Sequence, residues 1–236
     1  MCIRDRHGSV FVEVGNANLK AEQGYKFVAS ANYQSSRLSF EGTVHYAYIN
    51  NYIYLQPTLL YRETRVGQLL EFAYTQTNAS FYGIDLNAIF ALTKQVNLVA
   101  KGSAVNAYNE TFSDYMVYIP PYRGEVSARW QPEFSQFLKK NALYGQVTGS
   151  FTATQTRVNP NSDFAPPPQG YALAALELGA DVAIGKQLIN INFQVNNLFN
   201  TSYREYMNRY RYFADEPGRN FILRVKIPLS IYKYNV

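Results

Sequence analysis

Two stretches near the carboxy-terminal end alternate apolar and polar residues without a break, and this constrains the chain more than any other feature. From Ile189 to Val195, the residues Ile189, Ile191, Phe193 and Val195 fall on one side, and Asn190, Asn192, Gln194 and Asn196 on the other. The segment from Phe221 to Leu229 repeats the pattern, with Phe221, Leu223, Val225, Ile227 and Leu229 opposed to Asn220, Arg224 and Lys226. A period of two is that of a β-strand, since a helix would spread these residues around its whole circumference. One face is wholly apolar and the other is amide and cationic. Such a strand suits either a sheet packed on a protein core or a sheet whose apolar face meets lipid.

The same alternation recurs along the chain. Gly24 to Gln34 and Arg37 to Ile49 read as a hairpin joined at Ser35-Ser36. Asn50 to Leu70 is less regular and reads as a long loop or hairpin extension. Glu71 to Leu92 and Gln95 to Asn106 flank a turn at Thr93-Lys94, and a loop carrying Tyr108, Tyr115, Tyr118 and Pro120-Pro121 follows. In Arg123 to Gln131, Val126, Ala128 and Trp130 oppose Arg123, Glu125, Ser127 and Arg129, a charged row costly inside a dry core but ordinary against water. Ala142 to Thr156 and Tyr171 to Ala183 enclose a loop holding Pro166-Pro167-Pro168, which excludes strand interior there. Gly185-Lys186 turns into the segment at Ile189. The count is about nine strands, each long enough for the roughly 9–11 residues that a tilted spanning strand needs. Short connections at Ser35, Thr93 and Gly185 alternate with long ones at Asn50, Tyr108, Asn159 and Thr201.

Composition removes several function classes. No apolar run approaches the roughly 18 residues of a membrane helix. Aromatic residues make up 16%, with 21 Tyr and 15 Phe against one Trp, which suits side chains with one apolar and one wet end. The net charge of +5 is scattered through strands and loops, so no nucleic-acid surface is expected. One cysteine and two histidines leave no disulfide framework, metal-ligand cluster or Ser/His/Asp or Cys/His constellation, and no catalytic residue or cofactor is assigned.

Three segments carry a family resemblance. NNLFN (Asn196 to Asn200) leads into the loop TSYREYMNRYRYFADE, PGRN (Pro217 to Asn220) opens the last strand, and GNANLKAE (Gly15 to Glu22) stands near the other end. In this order they resemble the carboxy-terminal part of TonB-dependent outer-membrane receptors. Ala17 and Ala21 stand where that family has proline, and Leu229 stands where it has a strand-terminal aromatic. The resemblance runs from about His7 to Leu229. It implies an all-β fold, an antiparallel transmembrane β-barrel of which this chain supplies about nine of roughly 22 strands. No secretory leader pattern opens the chain, and the expectation is a part of a longer protein, with the amino-terminal plug and the TonB-engaging box outside it. Met1 to Arg6 fits neither pattern and is taken as a translation or assembly artefact, and Ser230 to Val236 as a tail.

The resemblance also implies a function: TonB-driven uptake of a scarce ligand such as a ferric siderophore, haem or a cobalamin-like molecule across the bacterial outer membrane. Outer-membrane lipid and TonB, reached through the amino-terminal part, would be its partners. A passive outer-membrane porin is the alternative, and a soluble β-sandwich binding module a more distant one. The candidate ligand-binding residues are His7, Tyr108, Tyr115 and Tyr118, together with Tyr203, Arg204, Tyr206, Arg209, Tyr210 and Arg211, where planar cations and amphipathic rings suit an anionic aromatic ligand. The competing reading of that loop is a surface loop whose aromatics pack on neighbouring loops and whose arginines meet lipopolysaccharide or solvent. Arg123, Glu125 and Arg129 are expected to form an ion-pair ladder on the lumen wall.

Overall fold

The computed structural model describes residues 6–7, 10–65, 67–133, 142–184 and 187–227. Met1 to Asp5, most of the presumed artefact, and the presumed tail lie outside the described residues. The strands are β1 (Arg6–His7), β2 (Phe11–Val14), β3 (Gln23–Gln34), β4 (Leu38–Thr64), β5 (Gly67–Ala91), β6 (Val96–Asn109), β7 (Asp114–Tyr115), β8 (Arg123–Trp130), β9 (Leu143–Thr152), β10 (Tyr171–Ile184), β11 (Gln187–Asn196) and β12 (Asn220–Lys226). All belong to one 12-stranded sheet. Nine of them are the alternating segments read from the sequence. The other three, β1, β2 and β7, span four residues or fewer, too few to show a period.

Long neighbours pair antiparallel throughout, but β2 runs parallel to β5, with Phe11 opposite Leu70 and Val14 opposite Ala73. The all-antiparallel expectation therefore needs this one correction. A second concerns Asn50 to Leu70, which is strand and not loop: β4 runs for 27 residues and β5 for 25, paired nearly to their tip. The register shifts between Ile49 and Tyr52 and again between Pro57 and Tyr61, where Asn51 and Leu59 take left-handed backbone with φ of 55° and 62°. Each bulge shifts which residues share a face, which erases the period from the sequence.

Between the bulges and the short turns the wall is a single layer with two unlike faces. Phe27, Tyr46 and Tyr82 follow one another across β3, β4 and β5, and Ala128, Val147, Leu176 and Val195 do so across β8 to β11. This apolar face is uncovered: Phe27, Val147 and Leu223 are 67%, 55% and 68% exposed. The opposite face carries Glu41, Asn87, Lys101 and Glu125 in register. Tyr144 lies flat across Gly179 on the facing strand, where a Cβ would overlap the ring. The tightest packing of the described residues sits instead at the end where the long connections gather, around Phe72, Val12, Met116, Ala79 and Ala107.

Candidate functional site in the mouth of the wall

The β6–β8, β9–β10 and β11–β12 loops and the extended tip of the β4–β5 hairpin all emerge at one end, because successive long strands run antiparallel. The sequence motifs fix how they leave the wall. In NNLFN, Asn197 and Asn200 adopt left-handed backbone, with φ of 47° and 55°. The Asn197 side chain accepts from Thr201 N and donates to Thr201 O, both at 2.8 Å. Asn200 Oδ1 accepts from Arg219 N at 2.9 Å, and Arg219 Nε donates to Leu198 O at 2.9 Å. A Cβ on Gly218 would lie 2.5 Å from Asn200 Oδ1, so NLFN and PGR form one clasp at the base of the β11–β12 loop.

GNANLKAE performs a similar task at the other edge. The segment crosses the β4–β5 hairpin to connect β2 with β3. Lys20 N donates to Gln76 Oε1 at 2.7 Å while Gln76 Nε2 donates back to Lys20 O at 2.6 Å. Glu22 Oε1 accepts from Ile53 N at 2.6 Å, satisfying backbone that the bulge leaves unpaired.

Three loops meet at a buried polar latch. Arg211, on the 3-10 turn Arg209–Tyr212 of the β11–β12 loop, is 3% exposed. It pairs with Asp163 of the β9–β10 loop and donates to Pro166 O at 3.2 Å. Tyr212 donates to the same carboxylate, and its hydroxyl lies 2.7 Å from that of Tyr118 in the β6–β8 loop. Tyr118 has a φ of 55°, unfavourable for a bulky residue. Its backbone N–H donates to the hydroxyl of buried Tyr206 at 3.4 Å. Burial is the main cause that raises the hydroxyl pKa of Tyr118, Tyr206 and Tyr212 above the usual value near 10, with Asp163 adding to it in each.

Arg209 and Arg204 of the same loop are also paired. Arg209 contacts Glu13 of β2 at 3.1 Å, with its guanidinium 4.8 Å from the Phe11 ring centre and 5.2 Å from that of Phe72. Arg204 pairs with Asp215 at 2.5 Å and donates to Arg211 O at 2.8 Å. Hydrogen bonds from Ser202 and Arg204 hold the Asp215 carboxyl below its usual pKa.

The sequence-derived candidates thus divide. Tyr118, Tyr206, Arg209 and Arg211 are drawn into loop packing, and Tyr203 lies with its ring centre 4.4 Å from that of Tyr171. Tyr115 and Tyr210 remain 43% and 51% exposed. Tyr108 is not in a loop but on β6, opposite Ser80 and Tyr115. His7 stands opposite Val12 in β1, and its side chain lies outside the described residues. A cavity of about 300 Å³ opens beside Tyr115, lined by Tyr54, Asn109, Asp114 and Asn159. Asp163 and Glu13, the acids that complete the site, carried no sequence signal, because one stands alone in a loop and the other on a four-residue strand too short to show a period.

On the polar face, Arg123, Glu125 and Arg129 do share one side of β8, but they do not pair with one another. Glu125 pairs with Lys101 of β6 at 3.3 Å, and the Arg129 guanidinium stacks 3.7 Å from the Tyr144 ring centre. Neighbours two apart on a strand are farther away than residues facing each other across strands. Cavities of about 410 and 480 Å³ lie along this face, both bordered by Glu125.

Comparison with known proteins places this architecture. The chain superposes on the copper transporter OprC with a TM-score of 0.73 at 18% identity, covering 90% of this chain and 32% of OprC. A variant of the ferric enterobactin receptor PfeA of Pseudomonas aeruginosa gives a TM-score of 0.60 at 18% identity, covering 89% of this chain and 32% of PfeA. The FrpB iron transporter of Neisseria meningitidis gives 0.63 at 14% identity, covering 91% and 32%. The chain therefore spans about a third of the length of these structures, and at such identities the likeness is one of fold. No curated protein matches it in sequence. The family model described as TonB dependent receptor-like, beta-barrel, matches residues 5–198. With the nine-stranded two-faced wall and the gathered loops, that match establishes that the chain belongs to the TonB-dependent receptor β-barrel family.

Proposed function

We propose that this chain forms part of the wall and extracellular mouth of a bacterial outer-membrane receptor that takes up a scarce ligand by TonB-dependent active transport. The observation that carries the reading is the division of the sheet into an exposed apolar face and a charged face, with the β6–β8, β9–β10 and β11–β12 loops gathered at one end. Lipid satisfies the first face and an aqueous interior the second. TonB would be engaged through a plug contributed by the amino-terminal part of the receptor, and the chain acts as a transporter wall with no catalytic role.

A ferric siderophore, haem or cobalamin-like molecule is the ligand class proposed. The pairing of the loop arginines supports a choice among the side chains that would meet it. Arg204, Arg209 and Arg211 are each matched to a carboxylate, so contact falls to the exposed rings of Tyr115 and Tyr210 and to the cavity beside Tyr115. The test is uptake of a labelled ferric siderophore or haem by cells expressing the complete receptor, with and without TonB. Saturable uptake that requires TonB and falls in a Tyr115→Ala, Tyr210→Ala variant is expected. Non-saturable uptake independent of TonB would overturn the reading in favour of a passive porin.

A further inference from the structure

The arginines of the loop end fall into two groups. Arg62, Arg204, Arg209 and Arg211 each contact an acidic side chain. Arg157 and Arg219 have no acidic partner among the described residues and are tethered by backbone carbonyls instead: Arg157 Nη2 to Val105 O at 3.4 Å and Arg219 Nε to Leu198 O at 2.9 Å.

Where Arg157 lies gives this difference a meaning. The Tyr122 carbonyl accepts from Ala153 N at 2.9 Å, one step beyond the Arg123–Thr152 pair, so Tyr122 shares the face of Val126 and Phe151. That is the apolar face. The Tyr122 hydroxyl donates to Asn106 Oδ1 at 2.9 Å, and Asn106 is in register with Tyr82 and through it with Tyr46. Arg157 folds back from the β9–β10 loop and lies 3.7 Å above the Tyr122 ring centre. Its Nε is covered and makes no hydrogen bond, which leaves the two Nη groups as its donors, one of them tethered to Val105 O. The chain thus sets a planar cation on the tyrosine row that borders the apolar face at the loop end.

We propose that Arg157, held by Tyr122, binds the phosphate of an anionic lipid headgroup at the outer rim of the wall. This rests on the membrane-wall reading above. A guanidinium matches two phosphate oxygens at once, and a ring beneath it fixes its plane without neutralising its charge. At the boundary between hydrocarbon and water the missing carboxylate is replaced by an anion that belongs to the membrane. Arg219, at the mouth of β12, has the same tether and is the second contact expected.

The experiment uses the complete receptor in vesicles of phosphatidylcholine containing a minor fraction of phosphatidylglycerol or of lipopolysaccharide. Native mass spectrometry after extraction counts retained phosphatidylglycerol or lipopolysaccharide against retained phosphatidylcholine. Arg157→Gln should lower retention several-fold, Arg157→Lys should restore part of it, and Arg123→Gln, on the opposite face, should leave it unchanged. Equal retention in Arg157→Gln and the parent overturns the proposal, as does release of the lipid by inorganic phosphate at physiological concentration, which marks a free-anion site. Spin labels at Val147→Cys and Gln146→Cys report separately on the wall: oxygen from the lipid phase should reach only the first. If both labels behave alike, the membrane-wall reading itself has failed.

Discussion

The wall and the mouth are built on opposite principles from one chain. Across the wall, large apolar side chains such as Phe27 and Leu223 stand mostly exposed on a single layer, with nothing among the described residues to cover them. In the mouth, Phe72 and Met116 are almost fully enclosed and even a charged residue, Arg211, is 3% exposed. The wall leaves its burial to the surrounding medium, and the mouth makes its own core. The wall is thus sensitive to a charge placed on one face, and the mouth to a lost partner anywhere in its packing.

Several substitutions would break or sharpen that contrast. The largest effect is expected at the latch. Arg211→Ala leaves the Asp163 carboxylate enclosed without its cation, and breaking such a pair costs about 3–5 kcal/mol. Hydrogen exchange should rise together in the β6–β8, β9–β10 and β11–β12 loops while the wall strands keep their protection. A rise confined to one loop would show that the three do not move as a unit. Next is the wall itself: Val147→Lys should cost about 2–4 kcal/mol in a bilayer, measured by reversible unfolding from vesicles, whereas Gln146→Lys on the opposite face should be nearly neutral. Equal costs would remove the distinction between the faces.

Alkaline titration separates the two regions in another way. Below pH 10 the hydroxyls of Tyr118, Tyr206 and Tyr212 are neutral in the packed and released loops alike, and their contribution is fully present. As the pH rises past 10, the released loop ionises while the packed hydroxyls, with pKa values raised chiefly by burial, do not. Loop stability is therefore lost with rising pH. Protection of these loops against hydrogen exchange, relative to the free-chain rate at each pH, should fall above pH 10, and protection that does not change there would contradict the packing. The smallest effect belongs to Lys101→Ala, which removes a pair whose side chains are 58% and 41% exposed. A change below about 1 kcal/mol is expected, and a larger one would mean that the pair sits in a drier interior.

How much of each region is legible in the sequence follows from the same contrast. The alternation of Ile189 to Val195 and of Phe221 to Ile227 predicts the strands and their faces, because neighbours at a fixed spacing decide which way a side chain points. The β4–β5 extension was harder to read because two bulges change the phase within it. In the loop Thr201 to Glu216, composition signals aromatic rings and cations but not their partners. Glu13 lies 196 residues from Arg209 and Asp163 lies 48 from Arg211, and no local pattern records a pairing over such separations.

By itself, the sequence determined most of the strands, their two faces and the motifs that clasp the loop bases, since all of these are set by residues close in the chain. Only the tertiary structure decided that β2 enters the sheet parallel to β5, that Arg204, Arg209 and Arg211 are neutralised while Arg157 is not, and that Tyr118 is held in a left-handed backbone. Those outcomes depend on which distant groups meet when four loops crowd into one mouth, where each buried polar group must find a partner or bear the cost of losing water.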